Sequence, residues 1–213
     1  EAPKAMALPI PLFKGVVFVL ALLPLSGIAW DLYSAGLGPD PGQIITERLG
    51  LAAFQCLLLT LCMTPFARWT GWSAWVRVRR MLGLFTFFYA CLHLLAFLQF
   101  VLGWSDLGTT FTQRPYIVLG ALSFLLLAML AATSFQMAMR RLGRRWKPLH
   151  RLVYLAVLLA WGHYLWQARS DITPMVAYGM VMLLLLAVRV RWFGWASLVP
   201  LMRKPLKVAT HST

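Results

Sequence analysis

The chain has 213 residues, of which 61% are hydrophobic and only 12% charged, with a formal charge of +14. Several stretches of about 20 residues are almost free of charge, the length that crosses roughly 30 Å of hydrocarbon. This excludes a water-soluble domain, and because the basic residues are split among short segments between apolar ones, it also excludes a nucleic-acid-binding surface.

Six spans are predicted in chain order, at 12–32, 47–67, 81–103, 116–138, 150–168 and 174–191. Inside lipid only helices satisfy their own backbone. The expected fold is therefore all-α, a single six-helix transmembrane domain over 1–213 with both termini cytoplasmic. The first stretch is about 20 residues long and lacks a small-residue cleavage site, so it reads as a span and not as a signal peptide. Gly36-Leu37-Gly38-Pro39-Asp40-Pro41 is expected to turn outside, Thr64-Pro65 to end the second helix, and 69–80 to form a basic, tryptophan-rich inside loop. Arg114-Pro115-Tyr116 starts the fourth helix. No internal repeat is evident.

Orientation follows from charge. With a cytoplasmic N-terminus, 17 of the 20 basic residues fall inside, among them Lys4, Lys14, Arg68, Arg77, Arg79, Arg80, Arg140, Arg141, Arg144, Arg145, Lys147, Arg151, Arg189 and Arg191, with Arg203, Lys204 and Lys207 in the tail. Arg48, Arg114 and Arg169 remain outside, near Asp31, Asp40, Glu47, Asp106 and Asp171. Tryptophans and tyrosines fall into belts at both boundaries, Trp104 and Trp166 outside, Trp146 and Trp195 inside. Cys56, Cys62 and Cys91 sit in apolar helix without CxxC spacing, which fits packing better than a thiolate site.

His93 lies 13 positions beyond Arg80, and His163 lies 12 beyond Arg151, each in a helix running outward. At 1.5 Å per residue their depths are roughly 20 and 18 Å. Two imidazoles at one level are what a b-type haem needs as axial ligands. A lone membrane histidine is more simply a packing residue, but a matched pair shifts the balance to haem. His150 follows the basic run at 140–147 and has no imidazole opposite it in the third span, where Arg79 and Arg80 stand. A lone axial role in a second haem, a flavin or quinone pocket, and a plain interfacial contact all stay open for it. His211 lies in the tail. Arg114 is the natural partner for haem propionates, with Arg48 and Arg169 as alternatives, although each also serves as a boundary residue. Arg77, Arg79, Arg80, Arg144 and Arg145 offer cations for a flavin phosphate, and positive-inside charge accounts for them equally well.

Thr64-Pro65-Phe66-Ala67-Arg68, Arg79-Arg80-Met81-Leu82-Gly83-Leu84, Tyr89-Ala90-Cys91-Leu92-His93, Arg114-Pro115-Tyr116, Leu149-His150-Arg151-Leu152-Val153-Tyr154 and His163-Tyr164-Leu165-Trp166 resemble the haem-binding membrane subunits of bacterial protein-methionine-sulfoxide reductase systems. The resemblance runs from the first span through the sixth. It is most specific in the fifth helix and the basic loop before it. Those subunits fall within the ferric-reductase-like transmembrane family, which includes the membrane domains of NADPH oxidases. The resemblance implies an inner-membrane b-type cytochrome with His93 and His163 as ligands and His150 as a third family histidine. It further implies association with FMN, electrons from the quinone pool or a cytosolic flavin reductase, and delivery to a periplasmic molybdenum-containing subunit that reduces methionine sulfoxide. Where the larger oxidases carry two histidines in the third helix this chain has one, which sets a second haem in question. A stand-alone ferric-chelate reductase or oxidase is the alternative. A small-solute carrier fits less well, since beyond the histidines the interior offers mainly Gln55, Gln99, Thr60 and Ser123.

Overall fold

The computed structural model describes residues 9–34, 36–104, 107–167 and 171–194. Lys4, Asp106, Arg169, Trp195, Arg203, Lys204, Lys207 and His211 lie outside them. All regular structure among the described residues is helical: α1 (Ile10–Ser34), α2 (Pro41–Thr70), α3 (Ala74–Ala96), α4 (Leu107–Gln113), α5 (Pro115–Ala132), α6 (Gln136–Leu142), α7 (Trp146–His150), α8 (Val153–Gln167) and α9 (Thr173–Phe193). The last turns of α3 widen into a π-helical segment, Phe97–Leu102, and a 3₁₀ turn, Gly143–Arg145, joins α6 to α7.

Among the described residues five helices are long and apolar enough to cross a membrane: α1, α2, α3 with its π segment, α5 and α9. At the place of the expected fifth span stands α8, whose 15 residues reach only about 22 Å and fall short of a full crossing. The chain bends at Arg151 and Leu152 just before it, so α7 and α8 are separate helices.

The second helix does not end at Pro65. Proline removes one donor and crowds the preceding turn, yet α2 runs through it and stops five residues later, where Gly71 takes a left-handed cap at φ 70°. The predicted inside loop is correspondingly short, because helix resumes at Ala74 and the tryptophan-rich stretch contributes the first turns of α3. The fourth span also ends early, at Ala132, where Thr133 and Ser134 return their hydroxyls to the carbonyls of Met129 and Leu130 at 2.8 and 2.7 Å. The connection between α1 and α2 falls where the sequence placed it. Gly36 and Gly38 hold positive φ, and Asp40 caps α2 by accepting from the Gln43 amide at 3.1 Å. Between α8 and α9, Asp171 accepts from the Thr173 amide at 2.9 Å, and Thr173 holds its carboxyl below the usual carboxylate range.

The core lies where α2, α3, α5 and α8 meet, around Leu57, Tyr89, Leu127, Ala156 and Val157. These helices pair as two hairpins, α2 with α3 and α5 with α8. Tyr89 ties α1 to the first by donating to the Ala21 carbonyl at 2.7 Å. α1 and α9 flank the core and leave most of their apolar surface outward, with 17% and 11% of their apolar windows buried. In a membrane protein that outward surface is the lipid-facing one.

Candidate functional site

α3 carries His93 and α8 carries His163 to the same level between the two hairpins. The ring centroids stand 6.2 Å apart with the planes 75° to one another. Each ring is fixed in the same way. His93 Nδ1 lies 2.8 Å from the carbonyl of Thr46 on α2, and His163 Nδ1 lies 2.8 Å from the carbonyl of Tyr116 on α5. Since a carbonyl only accepts, Nδ1 carries the proton in both, and each Nε2 is left as a lone-pair donor.

The helices can approach this closely because a glycine stands behind each ring. A Cβ on Gly50 would lie 2.8 Å from His93 Nδ1, and one on Gly120 would lie 2.9 Å from His163 Nδ1. No real Cβ tolerates such contacts. Gly42, Thr46 and Gly50 follow one another at helical i, i+4 spacing on the face of α2 that meets α3, with Gly42 backing onto Phe100.

The construction is duplicated. Both histidines accept the same arrangement at the same sequence separations: 47 residues from carbonyl to ring, and 43 from glycine to ring, 50 to 93 and 120 to 163. The hairpin α5/α8 thus repeats the outer part of α2/α3, contrary to the sequence expectation of no repeat. Few identities survive, chiefly Leu49 with Leu119, Phe54 with Phe124 and Leu57 with Leu127. What is shared is the glycine and its spacing from the histidine.

Two protein donors alone do not complete a metal's coordination sphere. Among the described residues no group of three or more His, Cys, Asp or Glu gathers to hold an ion. The pair suits a metal whose remaining ligands come with a macrocycle. The separation agrees: two nitrogen–metal bonds of about 2 Å each, plus roughly 1 Å from ring centre to nitrogen at either end, span about 6 Å. The residues present therefore fit a haem.

The remaining sequence candidates are scattered. His150, at the end of α7, stacks at 4.2 Å on Trp146 and contacts Thr133 Oγ1 through Nε2 at 3.1 Å. Arg114 is an exposed residue capping α5, two positions before Tyr116. Arg77, Arg80, Arg144 and Arg145 are exposed; Arg79 alone turns inward, its Nη1 3.4 Å from Thr64 Oγ1. They do not assemble one cationic cradle. Arg48 pairs with Asp31 on the outer rim. The interior polar residues are spent on packing: Gln55 donates to Tyr178 Oη at 2.6 Å, Ser123 to the Ala156 carbonyl at 2.9 Å and Thr60 to the Cys56 carbonyl at 2.8 Å, whereas Gln99, expected in the interior, is exposed and accepts from Trp104 at 2.8 Å. No midplane solute site is formed from them.

The chain is similar to known membrane proteins. A family model described as ferric reductase like transmembrane component matches residues 49–161, from one residue before Gly50 to two before His163. A relative from Bordetella pertussis (strain Tohama I), described as the protein-methionine-sulfoxide reductase heme-binding subunit MsrQ, is 43% identical over 185 residues, covering 83% of this chain and 88% of that protein.

Proposed function

The chain belongs to the ferric reductase like transmembrane family and, within it, with the MsrQ haem-binding subunits, and from that premise we propose that it is a b-type cytochrome subunit of the bacterial inner membrane. It passes electrons outward to a periplasmic molybdenum-containing methionine sulfoxide reductase. The observation that carries this reading is the pair of imidazoles 6.2 Å apart, each with Nδ1 turned to a backbone carbonyl.

His93 and His163 are the residues that would hold the haem iron, through Nε2 of each ring. A haem between them supplies reversible one-electron transfer. The Thr46 and Tyr116 carbonyls hold each ring in the tautomer that leaves Nε2 free, fix its direction and raise its basicity. Gly50 and Gly120 let the rings lie against the helices, and the apolar core keeps water away from them. Arg114, exposed just ahead of Tyr116, is the residue that would hold the propionates. His150, held by Trp146 and Thr133, stands at the basic end, where FMN, a quinone or a second haem would supply reducing equivalents.

In this reading the single domain crosses the membrane six times, with α7 supplying the depth that α8 lacks, and both ends lie on the basic, cytoplasmic side. The partner meets the outer end of α2 and the segment around α4.

The test is reconstitution in vesicles with an electron donor on the basic side and the periplasmic partner with a sulfoxide substrate outside. Wild type should sustain sulfoxide reduction, and His93→Ala and His163→Ala should not. The family description favours one second reading, a stand-alone ferric reductase. Equal turnover of a ferric chelate without the partner would establish that instead.

A further inference from the structure

Away from the histidine pair, the basic ends of α2, α3, α8 and α9 enclose a cavity walled by Thr64, Arg79, Tyr154, Arg189, Trp192 and Phe193. Its inner space is about 10 Å³, room for a single water or the oxygen of an anion. Two guanidiniums share it, and its lining contains no acidic residue. Arg189 lies 4.5 Å over the Phe193 ring and 5.8 Å from that of Tyr154. Its Nε is buried without a hydrogen-bond partner among the described residues. Among the described residues Arg79 reaches the Thr64 hydroxyl, at the long 3.4 Å. The ion pair found among the described residues, Arg48 with Asp31, stands at the opposite end of the molecule.

Two partly buried cations without a counter-charge among the described residues are costly, and an unpaired buried donor adds to the cost. An oxyanion removes both penalties, because the guanidinium fork matches paired phosphate oxygens. The supply is set by position. α9 faces lipid along most of its length, with 11% of its apolar window buried. Arg68 sits over both Trp192 and Phe193, at 4.9 and 5.2 Å, continuing the positive surface to the cavity mouth. The inner space takes a phosphate oxygen and leaves a glycerol and acyl chains outside, along α9. With no carboxylate to meet a choline or ethanolamine cation, the site prefers a headgroup of net negative charge.

We propose that this cavity binds the phosphate oxygens of an anionic phospholipid from the leaflet on the basic side, with Arg79 and Arg189 as its ligands. The proposal is independent of the haem reading. It is tested on the full chain in nanodiscs of phosphatidylcholine with and without phosphatidylglycerol, by native mass spectrometry after detergent release and by thermal unfolding. Wild type should keep phosphatidylglycerol in preference to phosphatidylcholine. Retention should fall about tenfold or more in R189Q and R79Q, and stay unchanged in R191Q, which alters an exposed arginine of the same helix. R189K, which keeps the charge and loses Nε, should retain less than wild type, and serves if R189Q does not fold. Retention unchanged in R189Q and R189K, or equal retention of the two lipids by wild type, would overturn the proposal. So would stabilisation by inorganic phosphate or free FMN that needs Arg189 while phosphatidylglycerol is not kept, since the anion would then come from solution.

Discussion

The two hairpins agree at one end and part company at the other. On the outer side, Gly50 and His93 in α2/α3 answer to Gly120 and His163 in α5/α8, each position displaced by 70 residues. Carried to the basic side, the same displacement sets His150 against Arg80, an exposed arginine. α2 runs on to Thr70, whereas α5 stops at Ala132 and the chain there is rebuilt as α6, a 3₁₀ turn and α7. Under the proposed haem reading, the lesson is that an imidazole clamp needs both halves alike only where they would meet one planar ligand. The other end, free of that constraint, has become a place of arginines and a single histidine.

The comparison can be broken most forcefully at the rings. His93→Ala and His163→Ala should each abolish low-spin haem binding in the purified chain, read by absorbance and a haem assay. Loss in one variant and retention in the other would show that the halves are not equivalent. Next in size, Gly50→Ala and Gly120→Ala each place a methyl within 3 Å of a ring, at a cost of about 1–3 kcal/mol. Both should lower haem occupancy and the unfolding temperature by similar amounts. Gly83→Ala, whose added carbon meets nothing nearer than Thr60 Cγ2 at 3.9 Å, is the harmless control.

A smaller effect is expected where hydrogen bonds tie the elements. Tyr89→Phe frees α1 from the first hairpin, and Ser123→Ala unties α5 from α8. Each removes one hydrogen bond worth about 1 kcal/mol, and thermal unfolding should show drops of similar size. Smallest of all, His150→Ala should leave the outer haem's spectrum unchanged, because its contacts are Trp146 and Thr133. A change in that spectrum would tie the two ends together.

Much of this was legible in the sequence, and the reason is the solvent. Long apolar runs have few ways to satisfy their backbone, so the helices at all six predicted places follow from hydropathy, and the matched depth of His93 and His163 follows from counting residues along them. The helix ends were harder to read. Pro65 reads as a stop, yet α2 runs on through it to Thr70. Ala132 is followed by no strong stop signal, and the end of α5 depends on Thr133 and Ser134 turning back onto it. The duplication escaped because its signal is a spacing and not a motif. Gly50 and Gly120 say nothing singly, and only the equal 43-residue interval to a histidine relates them. The Arg79 and Arg189 cavity was out of reach for a similar reason, since it joins helices more than 100 positions apart, and charge asymmetry alone accounts for both arginines.

The most direct measurement is near-infrared magnetic circular dichroism of the oxidised protein, which reports the axial ligands of low-spin ferric haem. The account predicts a bis-imidazole charge-transfer band in wild type that disappears in His93→Ala and in His163→Ala and persists in His150→Ala. A band of another ligand pair in wild type, or a bis-imidazole band surviving the loss of either His93 or His163, would contradict it.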